Sequence, residues 1–329
     1  MPKSSNATSS AFGWDFQSNA AIMLMLDNIK EAFKVKVEGE NEDVEITFSN
    51  GKTLMAQAKA VEDPNDFSNV ITKLKEALRT LSASSKIVDV EQLVYITNSP
   101  NPFNSIKTMF NFSSPRNVVP FSDLPPICQN KINDICSKNG YNIDRSMLTV
   151  YVMQFHGESE DERYKVLRSF TMDFLNSISV DKVSASQILS LWQTAFRVNS
   201  SQRTYVITKE NMVWPIIAIQ CEVRETDLED YDEADITEIL RKYNAIINNY
   251  SERFEFVSTV LSDFNDFYPA AKSKERVNRF ISERWEQYKR DFDLKNADTD
   301  IEEIVIQLTL LKILKNRREI VRIKGMVKL

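Results

Sequence analysis

The chain has 329 residues, with 41 Lys and Arg against 47 Asp and Glu and a formal net charge of −6. It is therefore no broadly basic nucleic-acid coat, and any contact with a polyanion needs a local positive groove. Three scattered cysteines without a CxxC pair and the single His156 exclude a standard zinc ribbon or an HNH nuclease. With no Walker A, GxGxxG or GxSxG motif, signal peptide or apolar run of spanning length, the expectation is a cytoplasmic, membrane-free chain without its own ATPase activity.

Residues 1–12 are rich in Ser and Asn and read as loose. A helix is expected over about 14–34, where Ile22, Leu26, Ile29 and Phe33 make a stripe that Phe16, Ala20 and Met23 widen. Two strands follow. Val44, Ile46 and Phe48 alternate with Asp43, Glu45 and Thr47, and Leu54, Ala56 and Ala58 alternate with Met55, Gln57 and Lys59. Asn50-Gly51 between them is a hairpin signal. A two-residue loop would leave both faces mixed. A three-residue loop, Ser49-Asn50-Gly51, pairs Ile46 with Leu54 and Val44 with Ala56, with Gly51 in the left-handed position. It also sets Asp43 opposite Gln57 beside Lys59, so burying the apolar face gathers Asp43, Glu45, Gln57 and Lys59 on the other.

A carboxylate and an amide oxygen suit a hard cation such as magnesium. A neighbouring lysine helps position the attacking water or stabilises charge on a phosphate in flight. Gly13-Trp14-Asp15-Phe16-Gln17, then Val37-Glu38-Gly39 and Glu42-Asp43-Val44-Glu45, then Gln57-Ala58-Lys59 together resemble the PD-(D/E)XK nuclease core in its Gln-x-Lys variant. The pattern is similar to the endonuclease domain of the CBASS effector nucleases and to the Lamassu anti-phage nuclease subunit. The resemblance implies that Asp43 and Gln57 ligate Mg2+ or Mn2+ and that Lys59 is the catalytic lysine. It further implies that Glu45 is an extra ligand and that Gln17 and Glu38 support the site.

After a polar link at Glu62–Asp66, Asp66 or Ser68 is placed to cap a helix over about 67–83, with Val70, Leu74, Ala77, Leu78 and Leu81 as its stripe. Lys73, Lys75 and Arg79 read as its solvated side. Val88–Thr97 reads as a buried strand, which makes the intervening helix a crossover between parallel strands. Residues 103–126 read as irregular. A helix over 126–139 ends at Asn139-Gly140, and Leu148–Phe155 is a strand. Helices follow at Glu160–Ile178 and Val183–Val198. His156 reads as structural, Trp192 and Phe196 as core, and Arg203–Gln220 carries an apolar run without a clear assignment.

The acidic residues from Glu222 to Asp235 read as a linker or exposed loop, followed by helices from about 236 onward, one at Lys272–Phe292 and one at Ile301–Ile320. A basic tail carries Lys315, Arg317, Arg318, Arg322, Lys324 and Lys328. The expected class is thus α/β (α+β). A PD-(D/E)XK restriction-endonuclease-like core with a helical extension fills 1–221, and a helical, partner-binding or oligomerising domain fills 222–329. The chain looks short for the sensor domain of the CBASS effectors, which shifts the resemblance toward the Lamassu type. It implies a metal-dependent endonuclease of double-stranded DNA in a multi-protein anti-phage system, controlled by oligomerisation or by an SMC-like ATPase and an accessory subunit. A catalytically inactive assembly subunit and an RNA nuclease on the same core are the alternatives.

Overall fold

Alternating apolar residues settle the register of the central hairpin. In the computed structural model, which describes residues 5–86, 89–202, 204–221, 234–268, 273–292, 294 and 298–329, Ile46 pairs with Leu54 and Val44 with Ala56. The Ser49-Asn50-Gly51 loop closes through Phe48 N–H to Lys52 C=O at 2.8 Å and Gly51 N–H to Phe48 C=O at 3.0 Å. Gly51 sits at φ +85°, a conformation that favours glycine.

These two strands lie inside a seven-stranded sheet. The strands are β1 (Ala32–Val37), β2 (Val44–Phe48), β3 (Thr53–Lys59), β4 (Val90–Thr97), β5 (Arg116–Pro120), β6 (Leu148–Met153) and β7 (Ile207–Thr208), ordered β5-β6-β4-β3-β2-β1-β7. The pairs β3–β4 and β4–β6 are parallel and the others antiparallel. Helix α1 (Ser5–Asp27) packs on β1, β2 and β3. Helix α2 (Val70–Ser84) is the crossover from β3 to β4, and its Leu74, Ala77, Leu78 and Leu81 are buried against Met55, Leu93 and Tyr95 of the sheet. Helix α4 (Pro126–Asn139), after the short α3 (Ile106–Met109), adds Cys128, Ile132 and Cys136 to the same core. Each such buried aliphatic side chain contributes roughly 1.5–3 kcal/mol. The 126–139 helix ends as its sequence requires, with Gly140 at φ +68°.

Several expectations need correction. The first helix begins at Ser5, so residues from 5 onward in the stretch expected to be loose are helical, and it ends at Asp27 rather than about 34. Asn28 turns the chain: its side chain donates to Leu24 C=O, and its own carbonyl accepts from Glu31 and Ala32 N–H. Ala32, Val35 and Val37 then bury one side of β1, and Phe33, assigned to the helical stripe, is 56% exposed on the strand. Pairing with β2 outweighs the helical spacing there. Edge strand β5 lies within the stretch that reads as irregular; Pro120 ends it, where a missing N–H is tolerated. Neither Asp66 nor Ser68 caps α2, which starts after Asn69; Asp66 accepts from Ser68 N–H instead.

The expected 160–178 helix is broken at Tyr164 into α5 (Glu160–Arg163) and α6 (Lys165–Ser177), ahead of α7 (Ala185–Ser201). The unassigned run is β7 followed by α8 (Lys209–Gln220). Residues 222–233 of the acidic stretch lie outside the described residues. Beyond them come α9 (Ala234–Ser251), α10 (Phe254–Asp266), α11 (Ser273–Arg284), a 3-10 segment at Trp285–Asp291 and α12 (Thr299–Val327). The expected 272–292 helix therefore breaks at Arg284. The basic residues read as a tail belong, up to Lys324, to α12 itself.

The chain divides into two compact units, Met1–Met212 with Lys328–Leu329 and Val213–Val327, a division that falls inside α8. In the second unit Tyr250 stacks on Phe292 at 4.0 Å between ring centres, and Phe264 meets Phe280 edge-on. Among the described residues no helix is long and apolar enough to cross a membrane.

One buried side chain ties the C-terminal ends of the parallel strands together. Asn98, fully buried, accepts from Val61 N–H at 2.7 Å and donates to Val61 C=O at 2.8 Å and Phe155 C=O at 3.0 Å. The His156 ring packs behind it, with Nε2 2.7 Å from Asn98 C=O, in a structural role. Thr97 Oγ1 donates to Lys59 C=O at 2.7 Å, so the backbone around Lys59 is held from β4. Asn98→Leu would leave the partners of three hydrogen bonds unsatisfied in the interior, each costing roughly 1–3 kcal/mol. The expected outcome is a loss of about 3 kcal/mol in urea unfolding; a loss below about 1 kcal/mol would show that Asn98 does not hold this edge.

Candidate functional site

The site begins with a loop that Glu45 organises. Between β1 and β2 the chain closes on itself through Glu38 N–H to Asp43 C=O at 2.9 Å and Gly39 N–H to Glu42 C=O at 3.0 Å. The Glu45 carboxylate accepts from Asn41 N–H at 2.7 Å and Glu42 N–H at 3.1 Å. A Cβ at Gly39 would overlap the Glu45 carboxyl group, which is why glycine occupies that position. Glu38 takes the left-handed backbone at φ +51°. Glu45, expected as an extra ligand, turns its Oε1 to the loop backbone and so helps place Asp43.

Asp43 stands just before β2. Its Oδ2 accepts from Ala58 N–H at 2.9 Å and from the Gln57 side-chain amide. Gln57 is 3% exposed; Asp43 and Lys59 are half-buried. Burial raises the Asp43 carboxyl above its ordinary range, opposed first by the charge of Lys59, then by Ala58 N–H and the amides of Gln17 and Gln57. Burial likewise raises Glu38, helped by the charge of Asp43 and opposed by Gln17 and Lys59. Gln17, on α1, therefore reaches both acids. The structure brings Gln17, Glu38, Asp43, Gln57 and Lys59 to one place, with Glu45 Oε1 turned to the loop beside them.

A cation can be tested against this set. Among the described residues no group of three His, Cys, Asp or Glu side chains is placed to hold a metal ion. The Gln17 Oε1 atom, however, is buried without a hydrogen-bond partner among the described residues. One carboxylate with amide oxygens is a donor set for magnesium, which keeps several of its waters and binds through one or two carboxylates and the substrate phosphate. Gln57 as placed turns its N–H toward Asp43, so ligation requires the amide rotated to present its oxygen. With that rotation the residues fit the ion.

No protein-family model matches the chain, and no curated protein matches its sequence. Among solved structures it is similar, over 64% of its length, to a Moraxella osloensis Cap4 SAVED/CARF-domain containing receptor, with 17% identity and a TM-score of 0.37. It is similar over 75% of its length to an Acinetobacter baumannii Cap4 SAVED/CARF-domain containing receptor with the cyclic trinucleotide 2'3'3'-cAAA, with 12% identity and a TM-score of 0.39. The chain spans 47% and 59% of those two receptors.

Two residues at the site carry no role in the sequence reading. Glu42 is 4% exposed; Ser84 Oγ donates to its Oε1 at 2.6 Å, and its Oε2 is buried without a partner among the described residues. The signal for it was the doubled acid Glu42-Asp43. Lys73, read as part of a solvated helix side, donates through Nζ to Ala60 C=O at 2.6 Å, and its ammonium is pushed down first by burial and then by Lys59.

Burial pushes the Glu42 carboxyl up from 4.5 to about 7, with Ser84 and Lys59 opposing and the charges of Asp43 and Glu45 adding. A carboxyl whose folded pKa exceeds its unfolded value binds its proton more tightly when folded. Its contribution to stability is therefore present at acid pH and is lost as pH rises from 4.5 to about 7. In chelator, Glu42→Gln is expected to flatten the fall in urea midpoint between about pH 4.5 and about pH 7.5, a difference on the order of 2 kcal/mol. An unchanged slope would remove Glu42 as its source.

Proposed function

We propose that the chain is a magnesium-dependent endonuclease that hydrolyses phosphodiester bonds of double-stranded DNA as the effector of a multi-protein anti-phage system. The observation that carries the reading is the Asp43–Gln57 contact, with Lys59 two residues further along the same face of β3. It stands at the C-terminal end of a parallel strand pair, where open α/β sheets place their ligands. The order of hairpin, crossover helix and parallel strand supports the PD-(D/E)XK type that the sequence resembles.

In this reading Asp43, Gln57 and Gln17 hold Mg2+ or Mn2+, and Glu38 closes the rim. When bound, the ion supplies positive charge beside the phosphate and a water of lowered pKa. Lys59 stabilises the negative charge that grows on the phosphate as the water oxygen bonds to phosphorus and the P–O bond of the leaving strand breaks. Lys73 keeps the backbone after Lys59 in place. The half-buried Asp43 must be ionised to act, and Lys59 favours that form. A net charge of −6 fits a chain that draws its DNA affinity from partners, here an SMC-like ATPase and an accessory subunit, or from assembly of its own copies.

The hydrogen bond from Gln57 into Asp43 favours a second reading, an assembly subunit that keeps the fold without cleaving. Supercoiled plasmid and structured RNA, each incubated with the full chain in Mg2+, Mn2+ or EDTA, separate the readings. Cleavage of plasmid in Mg2+ or Mn2+ but not in EDTA is expected. Asp43→Ala and Lys59→Ala should each lower it by about 10²-fold or more. Wild-type rates in both variants would place the chemistry elsewhere, preferential RNA cleavage would change the substrate, and no cleavage with either metal would favour the non-enzymatic subunit.

A further inference from the structure

A second concave site lies on the other side of α1 and contains none of Asp43, Gln57 or Lys59, so what it binds is independent of the nuclease reading. It is a cavity of about 700 Å³ walled by α1, α5, Tyr164 and α7, with Glu62 and Gly157 at its edge. That volume is in the range of small-molecule sites, roughly 300–1,000 Å³. Its lining is polar and specific.

Arg163 reaches into it half-buried, and its Nε is buried with no hydrogen-bond partner among the described residues. Among those residues neither Arg163 nor Arg197, on the adjacent α7, makes a side-chain hydrogen bond or ion pair. The one carboxylate deep in the wall is already taken. Asp15 accepts from Tyr164 Oη at 3.0 and 3.1 Å and from Asn19 Nδ2 at 2.9 Å, and Asn19 in turn accepts from Gln193 Nε2 at 2.9 Å. Burial raises the Asp15 carboxyl, opposed first by the Tyr164 hydroxyl and then by the charge of Arg163. Asp15, Glu62 and Glu160 also line the cavity, yet none of them is hydrogen-bonded to either guanidinium among the described residues, and the buried Nε of Arg163 is left without an acceptor. Trp14 is 49% exposed at the same cavity.

We infer that this cavity is a nucleotide-binding site in which Arg163 and Arg197 hold a phosphate and Trp14 stacks on the base. The guanidinium fork matches phosphate oxygens in pairs, and a buried Arg N–H without an acceptor is costly unless a ligand supplies one. An open indole face accepts any base, and such stacking contributes roughly 1–3 kcal/mol. Glu62 and Glu160 at the cavity accept from ribose hydroxyls or exocyclic amines, and their charge opposes a polyphosphate tail. The site therefore favours a monophosphate over a triphosphate. The same chemistry has two sources, a free nucleoside 5'-monophosphate and the 5'-phosphorylated end of a strand.

The test is calorimetric titration of the full chain with the four nucleoside 5'-monophosphates, with inorganic phosphate, and with a short 5'-phosphorylated single-stranded oligonucleotide. Saturable binding of at least one monophosphate is expected, weakened about tenfold or more by Arg163→Gln and by Trp14→Ala. Inorganic phosphate binding should be weakened by Arg163→Gln and left unchanged by Trp14→Ala. An oligonucleotide that binds more tightly than every monophosphate, and loses that binding in Arg163→Gln, assigns the site to a strand end; otherwise it belongs to a free nucleotide. Should Arg163→Gln lower the melting temperature, the exposed Arg197→Gln serves as the phosphate variant. Failure of every monophosphate and of the oligonucleotide to bind, or binding that Trp14→Ala and the arginine variants leave unchanged, overturns the inference.

Discussion

The register of the β2–β3 hairpin is the constraint on which the rest depends. With Val44 opposite Ala56 and Ile46 opposite Leu54, the apolar side chains of both strands lie on the face that α1 covers. The alternate positions then have no choice but the other face. Asp43 meets Gln57 for that reason, and Lys59 comes two residues later on the same side. A slip of one residue would turn every one of these side chains over at once. Burial of ordinary aliphatic side chains is therefore what places the acid, the amide and the amine together.

Electrostatics at that place runs against the fold's own stability. Asp43, Glu38 and Glu42 all sit above their ordinary carboxyl range, each chiefly because burial strips water from the charge, and each has another acid close enough to raise it further or be raised by it. Lys59 opposes all three, yet one ammonium serves three acids. Such a cluster favours an added cation, which would lower every one of these carboxyl groups together. Buried acids left in mutual repulsion are a common mark of sites that bind something. The backbone around them is correspondingly overdetermined: Glu45 fixes the loop before Asp43, and Thr97, Asn98 and Lys73 fix the chain around and after Lys59.

The same helix that supplies Gln17 to this cluster presents Asp15, Asn19 and Trp14 to a different cavity. One helix thus borders two different environments, one with several acids around one lysine and one where a buried guanidinium N–H lacks an acceptor. The α1 sequence Trp14-Asp15-Phe16-Gln17-Ser18-Asn19 carries polar residues on more than one side, and no single amphipathic stripe describes it. That is why its second face passed as an ordinary helix in the sequence.

Much of the core was legible from residue pattern alone. Period-two alternation with Asn50-Gly51 determined the hairpin and its register, Leu74 through Leu81 marked the crossover helix, and Asn139-Gly140 marked the end of its helix. These features depend on local periodicity and turn chemistry, which the sequence carries directly. What the tertiary structure decided depends on partners distant in the chain. Strand β1 exists because β2 offers it an edge, although Ile29 and Phe33 continue a helical spacing. Strand β5 exists because β6 does the same in a stretch broken by prolines. Alternation put Glu45 on the face of Asp43 and the resemblance made it an extra ligand, but the returning loop presents two N–H groups to its Oε1. The burial of Glu42 under Ser84 and the solitude of Arg163 likewise follow from which helices come to lie beside them, and no spacing along one strand or one helix encodes that.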